Sequence, residues 1–136
     1  MFDIPFESPN RLIAGRLRYE NEIRFGPRYY SLYIQNHGVL RNKIFGGILL
    51  WSDHSKYLAL QEWLTTNESD GPWTRLLLID FQENLSCFVA GVKGGFIKPI
   101  KYENKKIVYI KEFQNTNSEF EVEISSINNW EQLEWI

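Results

Sequence analysis

The chain has 136 residues, a net charge of −2, 43% hydrophobic and 24% charged side chains, which excludes a disordered polymer and fits one domain, residues 1–136, with a single sizeable core. One cysteine, Cys87, excludes a disulfide within the chain and a secreted disulfide scaffold. No apolar run approaches the roughly 18 residues of a membrane-spanning helix, and MFDIPFESPN carries acids and prolines where a signal peptide has a basic start, so a cytoplasmic location is expected.

Strand signals dominate from end to end. GRLRYENEIRFG leads into RYYSLYI (28–34); then come KIFGGILLW (43–51), YLALQEW (57–63), RLLLIDF (75–81), LSCFVAG (85–91), KIVYIKEF (106–113) and EFEVEIS (119–125). Polar or glycine-bearing turns separate them, among them QNHG, SDHSK, NESDGP, QEN, YENK and QNTNS. Such short connections favour antiparallel pairing of neighbours. LLLI (76–79) is apolar at every position and predicts a central strand. In SEFEVEIS, Phe120, Val122 and Ile124 alternate with Glu119, Glu121 and Glu123, which predicts a half-buried strand with an acidic outer face. The tail SSINNWEQLEW offers a short last helix through Ile127, Trp130, Leu133 and Glu134.

Two segments share one grammar. GGILLWSDHSKYLALQEW and GGFIKPIKYENKKIVYIKEF align Gly46-Gly47 with Gly94-Gly95, Trp51 with Tyr102, and SDHSK with ENKK. Each copy resembles a propeller blade, but a closed propeller needs about four blades or more. The expected fold is therefore all-β: antiparallel meanders forming two to three propeller-blade-like sheets, as a partial propeller or a β-sandwich.

Charge is distributed in blocks. Residues 1–50 carry +3, 51–86 carry −4, 87–111 carry +5 and 112–136 carry −6. Uniform basicity, the footprint of nucleic-acid binding, is missing from this pattern. Acidic segments suit a basic partner, while alternating blocks also suit opposite-charge pairing between neighbouring strands. Both readings stand at this stage.

Ser52, Asp53, His54 and Ser55 bring the side chains of catalysis together, yet four neighbours on one tight bend read as a turn. His37 lies in a turn sequence, and two separated histidines with one cysteine fall short of a four-ligand zinc site. Cys87 alternates with Leu85 and Val89 and reads as core. GVKGG (91–95) lacks the phosphate-loop pattern and reads as a loop. No catalytic residue, metal or cofactor is assigned. Trp63 and Trp73 flank the acidic loop EWLTTNESDGPW, and Trp130 and Trp135 lie beside glutamates. These indoles either anchor a partner or plug the ends of the sheets.

The run KIFGGILLWSDHSKYLALQEWLTTNESDGPWTRLLLIDF, followed by GGFIKPIKY and IVYIKEF, resembles small bacterial immunity proteins of contact-dependent growth inhibition and related polymorphic-toxin systems, over about residues 43–113. The resemblance implies a cytoplasmic protein without catalysis of its own. It would bind, one to one, the C-terminal toxin domain delivered by a sibling cell, often a nuclease, and block its active site, touching neither nucleic acid nor membrane. The expected contacts are one region of Asp53, His54, Trp63, Glu68, Asp70 and Trp73, and a second of Glu119, Glu121 and Glu123. Carboxylates would pair with toxin lysines or arginines, and tryptophan would supply the anchor. Two alternatives stay open. One is a small ligand-binding or hydrolytic β domain using His54 and nearby acids; the other is a propeller-like fragment that completes its sheets by oligomerising.

Overall fold

The computed structural model describes residues 2–24 and 26–136. It is all-β and antiparallel, with two open sheets. The strands are β1 (Ile4–Glu7), β2 (Ala14–Glu22), β3 (Arg28–Ile34), β4 (Gly38–Val39), β5 (Ile44–Trp51), β6 (Tyr57–Trp63), β7 (Trp73–Asp80), β8 (Leu85–Lys93), β9 (Gly95–Glu103), β10 (Lys106–Phe113), β11 (Thr116–Glu123) and β12 (Glu131–Gln132). The large sheet runs β1-β2-β3-β5-β6-β7-β8-β12, with β4 on β3; the small sheet runs β11-β10-β9.

The two repeat-like segments separate between these sheets. β5 to β8 form the middle of the large sheet, and β9 to β11 are the whole of the small one. The division falls at Gly94-Gly95. Gly94 has φ +85°, and a Cβ on Gly95 would overlap the Glu112 carbonyl oxygen. Only glycine lets the chain leave β8 and start β9 at once.

β6 and β7 are buried on both faces, as LLLI required. Leu58, Leu60, Leu77 and Ile79 enter a first core with Leu17, Leu32, Ile34, Phe45 and Leu133, inside the curl of the large sheet. Ala59, Leu76 and Leu78 enter a second core with Cys87, Ile97, Ile107 and Tyr109, between the two sheets. Burial raises the Cys87 thiol pKa to about 12. We expect this thiol to stay unmodified by a thiol-reactive disulfide in the native protein and to react at once in denaturant; immediate native labelling would contradict its placement.

β9 is held to the large sheet by side chains rather than by a ladder. Gln61 Nε2 donates to the Ile97 carbonyl (2.9 Å), and Trp63 Nε1 donates to Gln61 Oε1 (2.9 Å). Thr74 Oγ1 donates to the Gly95 carbonyl (3.1 Å) and accepts from Ile97 N–H (3.0 Å). Space for the Gln61–Trp63 pair comes from a bulge in β5, where the register shifts between Phe45 and Leu49. A Cβ on Gly46 would overlap Gln61 Oε1. Gly46→Ala is therefore expected to cost about 2 kcal/mol, read from the denaturant midpoint, because it overpacks a buried site and breaks a buried hydrogen bond.

Two expectations are corrected here. The tail is not a helix: after a single 3₁₀ turn, Ile124–Ser126, it runs extended. Glu131 and Gln132 pair with Ser86 and Leu85, Trp135 bridges Leu40, and Ile136 exchanges two backbone bonds with Val39 (2.8 and 2.9 Å). Leu133 and Trp135, two apart, both point into the first core, so the period of burial is that of a strand. β11 is also less buried than expected. Its alternation holds, but it lies at the edge of the small sheet and Phe120 is 41% exposed.

Candidate functional site

The SDHSK and ENKK turns, equivalent in the two repeat-like segments, both line one groove of about 510 Å³. The β5–β6 turn contributes Asp53, His54 and Lys56; the β9–β10 turn contributes Glu103, Asn104 and Lys105; Tyr57 and Tyr102 lie between them. The first turn is tightly built. Ser52 and Ser55 are buried; Ser52 Oγ accepts from Tyr57 N–H (3.0 Å), and Ser55 Oγ accepts from Asn10 N–H (2.9 Å). The two serines are turn fasteners, as turn chemistry predicts.

His54 is exposed at the rim of the groove. Its Nδ1 lies 3.4 Å from the Lys56 N–H that it accepts and 3.2 Å from Ser52 Oγ. Among the described residues no carboxylate is hydrogen-bonded to this ring. Two acids are engaged elsewhere: Glu103 pairs with Lys101 (3.3 Å), and Asp80 pairs with Lys56 (3.7 Å) and accepts from the Gln82 and Glu83 N–H groups. Tyr57 and then Asp80 hold Lys56 above the ordinary lysine pKa. Among the described residues no group of three or more His, Cys, Asp or Glu is placed to hold a metal ion.

The second candidate surface is the outer face of the small sheet. The ladder sets Glu123 opposite Lys106, Glu121 opposite Val108 and Glu119 opposite Ile110. Lys101 also faces Val108, and Lys98 faces Ile110. Three salt bridges cross this face: Lys98–Glu112 (2.9 Å), Lys106–Glu121 (3.0 Å) and Lys101–Glu103 (3.3 Å). The +5 and −6 blocks thus pair partly with each other, as cross-strand neighbours do. The Glu121 hydrogen bond, with Glu123 and Glu103 nearby, keeps Lys106 above its ordinary pKa. Five glutamates face three lysines here, and no salt bridge reaches Glu119 or Glu123 among the described residues. The surplus negative charge lies along β11.

The first expected contact region does not hold together. Asp53 and His54 precede β6, whereas Glu68, Asp70 and Trp73 follow it. A seven-residue strand separates the two groups, roughly 20 Å at strand rise. Glu68 and Asp70 are exposed on a 3₁₀ turn capped by Asn67, whose side chain accepts from Ser69 N–H. Trp63 is no exposed anchor either: it is 6% exposed, bonded to Gln61 and packed near Phe96 (ring centroids 6.0 Å). Trp130 stacks on Tyr57 (6.3 Å), and Trp135 Nε1 donates to Asn84 (3.2 Å), so both plug sheet ends. Trp73 alone of the four is exposed, at 39%, with Lys93 over its ring at 5.0 Å. It alternates with Thr74, which bonds the small sheet, so Trp73 points away from that sheet and from β11.

Glu123 does not line the groove, but its neighbours do. Lys106, opposite Glu123, and Ile124, next to it, both line the groove. Nothing local in the chain announces this placement, because it depends on how two sheets stack. Compared with known protein families, with curated proteins and with solved structures, the chain has no match.

Proposed function

We propose that the protein is an immunity protein: it binds a cationic toxin domain, of the nuclease class, and neutralises it by covering the active site. One observation carries this reading. β11 presents Glu119, Glu121 and Glu123 side by side on an exposed outer face, and the lysines of the same face neutralise only part of that charge. A nuclease site attracts phosphate and is cationic; a row of carboxylates takes the place of that phosphate and steers association. The resemblance over residues 43–113 points the same way. Asp53 and His54 would contact the toxin beside Glu123, at the groove end of the small sheet.

The test is protection. The gene is expected to lie directly downstream of a gene for a large secreted toxin. Co-expression with that toxin's C-terminal domain should restore growth, and the two chains should co-purify one to one. Growth arrest despite full expression of both chains would end this reading. A second reading, small-ligand binding in the groove, is favoured by Tyr57, Tyr102 and His54 together in its lining. A ligand screen by NMR would support it through shifts confined to His54, Tyr57 and Tyr102; shifts elsewhere, or none, would remove it.

A further inference from the structure

We infer that β11 is a docking edge, and that its occupant is an extended strand of the partner protein with lysine or arginine at alternate positions and apolar residues between them. The inference rests on the binding function proposed above and specifies how the partner is held.

The strand edges of this fold differ in how they are guarded. β1 is four residues long and contains Pro5, which cannot donate to a ladder. β4 and β12 have two residues each. The free part of β8 lies beside a register shift, and Asn129 Nδ2 occupies its Phe88 carbonyl (3.0 Å). The outer edge of β9 is taken up by Thr74 and Gln61 and interrupted by Pro99. β11 has none of these devices. Its eight residues, TNSEFEVE, contain no proline and no lysine, and they pair with β10 in an unbroken register from Thr116 to Glu123. Its other side has no strand neighbour among the described residues. A long, regular edge is a template for an added strand, and the guard on this one is its row of glutamates, which repels an acidic strand but not a basic one.

The side chains of β11 restrict what can pair there. Two copies meeting edge to edge in antiparallel register would set Glu121 against Glu121 and Glu119 against Glu123, and like charges directly opposite destabilise a pair. Self-association is thus disfavoured by charge, while a basic strand is drawn in. The inner side of the same edge is apolar in its second half: Phe120 is half-exposed, stacks on Tyr109 (5.6 Å) and has Lys111 Nζ over its ring (4.9 Å), and Val122 is partly buried against the second core, while Thr116 and Ser118 precede them on that side. An incoming strand therefore meets carboxylates on one face and Phe120 and Val122 on the other, so its own side chains must alternate basic and apolar.

The probe is a labelled peptide alternating lysine and valine, matched to β11 in length and titrated into the full-length chain. We expect binding that protects the amides of residues 116–123 from hydrogen exchange. The same peptide N-methylated at alternate amides keeps its charge but loses its ladder bonds, and should bind at least about tenfold more weakly. A peptide with glutamate for lysine should not bind. Equal binding of the N-methylated peptide, protection elsewhere, or no binding of the lysine–valine peptide would overturn the inference. In the complex with the toxin domain, the same amides should gain protection. A neutralising complex that leaves them unprotected defeats the docking edge and spares the proposed function; a toxin domain that does not bind, alongside a peptide that does, defeats the proposed function instead.

Discussion

Replacing Glu62 by alanine is expected to lower the unfolding free energy by about 3 kcal/mol. Glu62 is 4% exposed. Its two carboxylate oxygens accept from Arg75 Nε (2.7 Å) and Arg75 Nη2 (3.3 Å), and Lys43 Nζ lies 3.5 Å away. Arg75 and Lys43 retain partial access to water, which places the cost toward the lower end of that for a fully buried pair. Removing the carboxylate leaves two cations facing one apolar core rim, with a cavity between them. Glu62→Gln keeps the volume and loses the charge, so its cost should fall between wild type and alanine. Equilibrium denaturation of the three proteins checks the order. Equal stability of Glu62→Ala and wild type would show that the ion cluster contributes nothing.

The largest functional effect is expected from the triple variant Glu119→Lys, Glu121→Lys, Glu123→Lys. All three side chains are on an exposed outer face, so the fold should survive, although the variant loses the Lys106–Glu121 pair and sets a lysine directly opposite Lys106, a cost expected to be modest at an exposed site. Each reversal turns an attraction for a cationic toxin into a repulsion of roughly 1 kcal/mol or more, and together they should weaken the complex by about two to three orders of magnitude, mostly through slower association. Trp73→Ala serves as the contrast. The amino-acid sequence marks Trp73 as a candidate hot spot worth about 2 kcal/mol, but its side chain points away from β11. A partner seated on β11 should lose little affinity with Trp73→Ala, and a loss near that figure would move the interface to the β6–β7 end.

Much of the fold was legible because its signals are local. RYYSLYI, YLALQEW and KIVYIKEF have the bounds of β3, β6 and β10, since turn residues and β-branched or aromatic runs define them without tertiary help. LLLI declared the centre of the large sheet through its lack of alternation. The C-terminal strap was misread because Ile127, Trp130 and Leu133 fit a helical spacing, while the decisive contacts, with Val39, Leu40 and Asn84, are far away in sequence. Trp63 was misread for the same reason. Its burial follows from Gln61, Gly46 and Phe96, and a tryptophan beside an acidic loop gives no local sign of them.

The site shows the same limit. Turn chemistry placed Asp53 and His54 correctly on a bend, and strand alternation placed Glu119, Glu121 and Glu123 correctly on one outer face. What sequence alone could not reveal is that SDHSK and ENKK line one groove, or that Lys106, opposite Glu123, and Ile124, next to it, line it too. Both depend on the stacking of the small sheet on the large one, fixed by Gln61 and Thr74 reaching β9 across gaps of 36 and 21 residues.

The most direct test of the central claim is a calorimetric titration of the chain with the toxin domain expected to be encoded beside it, at low and at high salt. One-to-one binding that weakens as salt rises, with toxin activity silenced at equivalence, is the predicted result. Absence of heat at low salt, or tight binding indifferent to salt and to the triple lysine substitution, would contradict a protein that acts through the carboxylates on its outer strand.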